Sequence, residues 1–143
     1  MKLSGLLTIL VFAIYGNTAF NGYSVDDNLI VDGNEQAEAG FESISEILTT
    51  NYFSRGEKRG SYRAIPRASF AIEVGLFGKN PGVSHVINVF LFLFSCLLVL
   101  KLLTQIFPRG HSVAILFAVI LFAVHPIHTE VVASLKNRDE LMQ

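Results

Sequence analysis

Polar and apolar positions fall into blocks along this chain. No Lys, Arg, Asp or Glu occurs from Leu3 to Val25, from Asn80 to Leu100 or from Gly110 to Thr129, gaps of 23, 21 and 20 residues. Each gap matches the ~20 residues that a bilayer-spanning helix needs. A helix packed in a water-soluble core carries charge on its outer face every few residues. The pattern therefore predicts an all-α integral membrane protein with three transmembrane helices. These are a first helix over residues 1–20, an external loop over 21–82, a second helix over 83–106 and a cytoplasmic loop over 107–111. A third helix follows over 112–128, and residues 129–143 begin the next external segment. The third run is strongly apolar only from Ser112 to Val124, and Pro126 is expected to kink or end it.

Orientation follows from the short loop. Lys101 and Arg109 flank it and mark it as cytoplasmic, and Lys2 enters from the same side. The six Lys and Arg residues of the long loop run against that tendency, but long loops cross largely regardless of charge. A competing reading of the first run is a cleaved signal peptide ending at Ala19; Asn17 makes a poor cleavage signal.

The long loop contains two short amphipathic juxtamembrane helices. Phe41, Ile44, Ile47 and Leu48 share one helical face, and Ser43 with Glu46 has capping-box spacing. Ser69 to Phe77 places Phe70, Val74 and Phe77 on one side. Both helices are suited to lie on the bilayer or on the helical bundle. Ser54 to Ser61 reads as a solvated loop tip, and Gly78 to Gly82 as a turn.

Composition narrows the function. The chain is 51% hydrophobic and 16% charged with a formal net charge of -1. Nucleic-acid binding wants a basic stripe, so it is not expected. Cys96 is the single cysteine, which excludes an internal disulfide, and no zinc-finger spacing or Gly-rich phosphate loop is present.

The candidate chemistry gathers on the outer side. Asp26 and Asp27 are adjacent carboxylates just after the first span. Such a pair suits a general base or a divalent cation, although Asp-Asp is also an ordinary loop-start dipeptide. His125, His128 and Glu130 emerge at the same surface if the third span is real. Their spacing is that of metal ligands, but Pro126 disturbs the helix that would align the two rings, and the metal requirement stays open. Glu130 near the bilayer edge needs a partner. Arg63 and Arg67 offer guanidinium forks for a phosphate, a role that lipid headgroups would fill equally well.

An ordered set of short segments runs through these positions. They are Val25-Asp26-Asp27-Asn28, Ile47-Leu48-Thr49-Thr50-Asn51, Tyr62-Arg63, Ser69-Phe70-Ala71-Ile72-Glu73, Gly78-Lys79-Asn80-Pro81, Ser84-His85-Val86-Ile87-Asn88-Val89 and His125-Pro126-Ile127-His128-Thr129-Glu130-Val131-Val132. From Tyr23 to Gln143 the set resembles the N-terminal part of the transmembrane and tetratricopeptide-repeat O-mannosyltransferase-like proteins. That resemblance implies a GT-C type glycosyltransferase with an acidic pair in its first external loop. It implies a polyprenyl-phosphate-linked sugar donor, with mannose as the family's best-known sugar, and a protein hydroxyl or glycan acceptor. Asp26 or Asp27 would activate the acceptor, Arg63 would meet the phosphate, and His125, His128 and Glu130 would line the pocket. The chain departs from the family in carrying Ala64 where Pro usually follows Tyr-Arg, with Pro at position 66. The further spans and repeats are absent, so the chain reads as a fragment that is inactive alone. The alternatives are a non-enzymatic three-span accessory or interaction subunit and, if the first run is cleaved, a secreted or lipid-associated binding module.

Overall fold

A computed structural model describes residues 2–27, 30–31, 34–49, 64–107 and 111–142. Among these the secondary structure is helical throughout, with no strand. Helix α1 covers Lys2–Tyr15 and runs on as a 3-10 turn over Gly16–Phe20. The segment between the first two candidate spans holds α2 (Glu35–Glu38), a 3-10 turn (Gly40–Ser43), α3 (Ile44–Thr49) and α4 (Ala64–Phe77). Helix α5 covers Pro81–Ile106, α6 Ser112–Val124 and α7 Ile127–Ala133. A 3-10 turn (Leu135–Asn137) and the single turn of α8 (Arg138–Leu141) complete the described chain.

Helix α5 starts at Pro81, two residues before the expected start at 83 and inside the expected Gly78–Gly82 turn. Asn80 is its N-cap, with the side-chain oxygen accepting from the Val83 N–H at 3.3 Å, and Pro81 follows at the first helical position, where no N–H is needed. Its 26 residues extend about 39 Å at 1.5 Å each, longer than the ~30 Å hydrocarbon core. Leu3–Phe20 and Pro81–Ile106 are each long and apolar enough to cross a membrane, with mean hydropathies of 1.7 and 2.6. The third run behaves differently from a single straight span. Helix α6 ends at Val124, His125 adopts an extended backbone (ψ 129°), and α7 leaves at 60°. Pro126 lacks an N–H and biases the residue before it away from the helical region, which accounts for the break. The pair α6–α7 is thus a broken span or a re-entrant loop, and the described residues contain two or three candidate spans.

The spans pack through Leu7, Val11 and Tyr15 of α1, Val89, Phe92, Leu93 and Cys96 of α5, Val119 and Ala123 of α6, and Val132 of α7. Lipid is as apolar as these side chains, so close packing and hydrogen bonds hold such helices together rather than expulsion of water. Both occur here. The Tyr15 hydroxyl donates to the Ala123 carbonyl at 3.0 Å, and the Tyr15 ring meets Phe92 edge-on at 5.1 Å. On the outer faces, Phe90, Phe94, Leu98 and Leu102 of α5 and Val113, Phe117 and Leu121 of α6 recur every four residues and are exposed, as lipid-facing stripes would be.

Helices α2, α3 and α4 contribute to two further small clusters. Phe70 of α4 packs with Val31, Ala37 and Leu135, while Ile47 packs with Ala64 and Ala71. Helix α4 begins at Ala64, five residues before the expected start at Ser69, because Pro66 sits in its first turn, where proline is tolerated. Of the residues expected on the apolar faces, Phe70 and Ile47 are buried whereas Phe41, Leu48 and Phe77 are exposed. The Ser43–Glu46 capping box does not form. The Ser43 hydroxyl donates to the Gln36 and Gly40 carbonyls, and Glu46 accepts from the Gln36 side chain instead. Gly40, at φ +60°, supplies the left-handed residue that makes this turn; a Cβ there would lie 3.2 Å from the α-carbon of Gly75 on α4, and a Cβ on Gly75 would meet the Phe41 ring at 2.6 Å.

The first span is seated on α5 by a glycine. A Cβ on Gly82 would lie 2.8 Å from the Ala19 carbonyl oxygen, with backbone on both sides of the contact. Gly82→Val is expected to lower stability by about 1–3 kcal/mol, as overpacking does. Gly5→Ala, inside α1 at a position with nothing within 4 Å, should not lower it and is expected to raise it by up to about 1 kcal/mol. Thermal unfolding of the two variants in the same detergent checks this.

Candidate functional site

The two adjacent aspartates have opposite environments. Asp27 is 1% exposed. Its Oδ2 accepts from the Ser24 N–H at 2.9 Å, while its own N–H donates to the Ser24 carbonyl at 3.1 Å, closing a local turn. Its Oδ1 accepts from the Lys136 N–H at 3.1 Å, tying this turn to a segment 109 residues away. Asp26 points outward, its side chain 59% exposed, and its Oδ2 pairs with the Lys136 ammonium at 3.0 Å. One residue, Lys136, therefore holds both carboxylates, Asp27 by main chain and Asp26 by side chain.

A buried polar node lies in the same sequence neighbourhood as Lys136. Arg138 is fully buried. Its Nε donates to Asn88 Oδ1 at 2.7 Å, one terminal nitrogen to Glu73 Oε2 at 2.8 Å and Ser69 Oγ at 3.2 Å, and the other to the Ser84 carbonyl at 3.0 Å. The guanidinium also stacks 3.7 Å from the centre of the Phe70 ring. Glu73 accepts a further bond from the Ser84 hydroxyl. Asn88 in turn donates to the Val132 and Ser134 carbonyls at 3.3 and 3.4 Å. Burial lowers the Arg138 pKa from its ordinary value, and the charge and hydrogen bond of Glu73 push it back up. The node joins α4, the start of α5 and the chain after α7, which fixes the turn that carries Lys136.

The other expected site residues are dispersed. His128 packs against Phe122 and Phe92, with ring centroids 4.5 and 5.2 Å away, and lies 6.2 Å from the His125 ring. His125 is exposed, and its Nδ1 accepts from the Ile127 N–H at 3.3 Å across the Pro126 break. Glu130 is exposed on α7. Among the described residues no hydrogen bond or ion pair links these three to Asp26 or Asp27. Arg63 lies outside the described residues. No group of three or more His, Cys, Asp or Glu among the described residues could hold a metal ion.

Lys136 and Arg138 are absent from the set that sequence reasoning selected. A signal for the node was present. Ser69 and Glu73 sit four residues apart on an amphipathic helix, and Ser84 and Asn88 sit four apart inside an apolar run. Two polar rows of this kind on neighbouring helices call for a shared partner. His85, one turn before Asn88 on α5, is buried and reaches toward the Gly22 carbonyl at 3.4 Å.

Known proteins give a consistent picture. The chain is 27% identical over 132 residues to the human Protein O-mannosyl-transferase TMTC1, covering 90% of this chain and 15% of that protein. It is 30% identical over 136 residues to Drosophila melanogaster Protein O-mannosyl-transferase Tmtc1, covering 92% and 16%. It is 31% identical over 136 residues to Drosophila melanogaster Protein O-mannosyl-transferase Tmtc2, covering 92% and 14%. No family model matches the chain, and no solved structure matches it. The chain spans about one-sixth of the length of these curated relatives. Over nine-tenths of its own length, then, it is a relative of the transmembrane and tetratricopeptide-repeat O-mannosyltransferase-like proteins.

Proposed function

We propose that this chain is part of a GT-C type membrane glycosyltransferase that moves a sugar, mannose by its relatives' name, from a polyprenyl-phosphate donor to a protein hydroxyl. The α6–α7 pair serves as the third span, and the Asp26–Asp27 turn lies on the outer or lumenal side. The observation that carries this reading is the asymmetric carboxylate pair just beyond the first span, in a chain whose relatives are named O-mannosyl-transferases.

The geometry favours Asp26 as the base. A base must come within hydrogen-bond reach of the proton it takes. Both Asp27 oxygens are engaged by backbone N–H groups and the side chain is buried. Asp26 is open to solvent, and among the described residues its Oδ1 accepts no hydrogen bond. In the transfer, Asp26 takes the proton of the acceptor hydroxyl as its oxygen bonds to the anomeric carbon. The bond from that carbon to the phosphate oxygen breaks on the opposite face, and the lipid phosphate leaves with the bonding pair. The sugar's anomeric configuration inverts. Arg63 would meet the phosphate, with His125, His128 and Glu130 at the pocket wall.

The test is a transfer assay in membranes expressing the complete reading frame, with radiolabelled polyprenyl-phosphate mannose as donor and a serine- and threonine-rich peptide as acceptor. Labelled peptide above the level in vector-only membranes supports the reading. Labelling no higher than in vector-only membranes, with the protein inserted, would favour a non-enzymatic accessory subunit instead.

A further inference from the structure

We infer that Lys136 is a positioning residue for the acidic pair: its main chain fixes Asp27 and its ammonium orients Asp26 for proton transfer. This rests on the reading of Asp26 as the base.

An exposed ion pair between two free side chains contributes little to a fold. The Lys136–Asp26 pair is different because both backbones are fixed. On one side, Leu135 is fully buried against Val31, Ala37 and Phe70, and Arg138 is locked by Asn88, Glu73, Ser69 and the Ser84 carbonyl. Lys136 sits between these anchors in the 3-10 turn Leu135–Asn137, so its main chain is held at both ends. On the other side, Asp27 is pinned by Ser24 and by the Lys136 N–H itself, which sets the main chain from which Asp26 projects. The ammonium then meets Asp26 Oδ2 at 3.0 Å. A cation at this point opposes the repulsion between two neighbouring carboxylates and selects one orientation of the exposed one. Catalytic groups held this way start near their reactive geometry, and small losses of position are costly to turnover.

The two functions of Lys136 can be separated. Lys136→Met keeps the N–H on Asp27 and removes the ammonium from Asp26. Lys136→Arg keeps both. In the complete protein, with the same mannose donor and peptide acceptor, Lys136→Met should lower kcat by about ten- to a hundredfold with little change in the donor KM. Lys136→Arg should restore turnover to within a few fold of wild type. Full activity in Lys136→Met, equal loss in both variants, or a change confined to KM would each overturn the inference. Loss in Asp26→Asn together with full activity in Lys136→Met would overturn it while leaving the function standing. Equal activity in wild type and Asp26→Asn would overturn the reading it rests on as well. A second readout needs no activity. A carbodiimide condenses an amine with a neighbouring carboxylate, with net loss of water to the reagent. Treatment of the wild-type protein should join Lys136 to Asp26 in its peptide map, and the Asp26→Asn variant should lose that link. Its absence from the wild type would contradict the geometry.

Discussion

Arg138→Met is expected to lower the stability of the protein in detergent by about 3–5 kcal/mol, the usual cost of breaking a buried ion pair from one side. The side chain is fully buried and Glu73 is 4% exposed, so the carboxylate left behind cannot turn to water. Asn88 Oδ1 and the Ser84 carbonyl lose their donors at the same time. The pair as such contributes less than this figure suggests, because removing two ions from water nearly offsets their attraction. A second substitution should therefore recover part of the loss. Arg138→Met with Glu73→Gln removes the stranded charge and is expected to be more stable than Arg138→Met alone. Thermal unfolding of the single and double variants measures both effects. A double variant that is less stable than the single would show that Glu73 has other supporting partners that matter more than Arg138.

The second large effect separates the two aspartates. Asp26→Asn is expected to fold normally, since it gives up only an exposed ion pair worth at most about 1 kcal/mol. Its transfer rate should nonetheless fall by roughly 10²–10⁴, the range typical of a lost general base. Asp27→Asn should fail differently. An amide has one acceptor oxygen where the carboxylate has two, so its NH2 must face either the Ser24 or the Lys136 N–H. A buried donor left unpaired costs about 1–3 kcal/mol. Asp27→Asn should therefore show reduced thermal stability along with reduced activity, and Asp26→Asn reduced activity alone. Unfolding midpoints measured beside the transfer rates distinguish the two patterns.

Much of the scaffold was legible because the forces that set it are local. A 21-residue gap in charge marks α5, but its start at Pro81 fell inside the expected Gly78–Gly82 turn, because Asn80 caps the helix there. Pro126 signals the break between α6 and α7 without revealing that the chain would turn by 60° there. Ser43 was misleading. Its spacing to Glu46 suits a helix cap, but the left-handed turn at Gly40 offers its hydroxyl carbonyl acceptors instead. The Ser69–Glu73 and Ser84–Asn88 rows pointed to a polar node, but the residue at its centre was not legible, for a physical reason. Arg138 stands among Lys136, Asp139 and Glu140, a cluster that alone reads as solvated, and its partner Glu73 is 65 residues earlier. The contrast between Asp26 and Asp27 was equally hidden, because it depends on a main-chain N–H whose direction no residue type announces.

The most direct test of this account compares transfer from polyprenyl-phosphate mannose by wild type, Asp26→Asn and Asp27→Asn, each expressed as the complete reading frame and matched for amount in the membrane. The account predicts activity in wild type and its near-abolition in Asp26→Asn at unchanged stability. Wild-type rates in Asp26→Asn would contradict it and remove the exposed carboxylate from the chemistry.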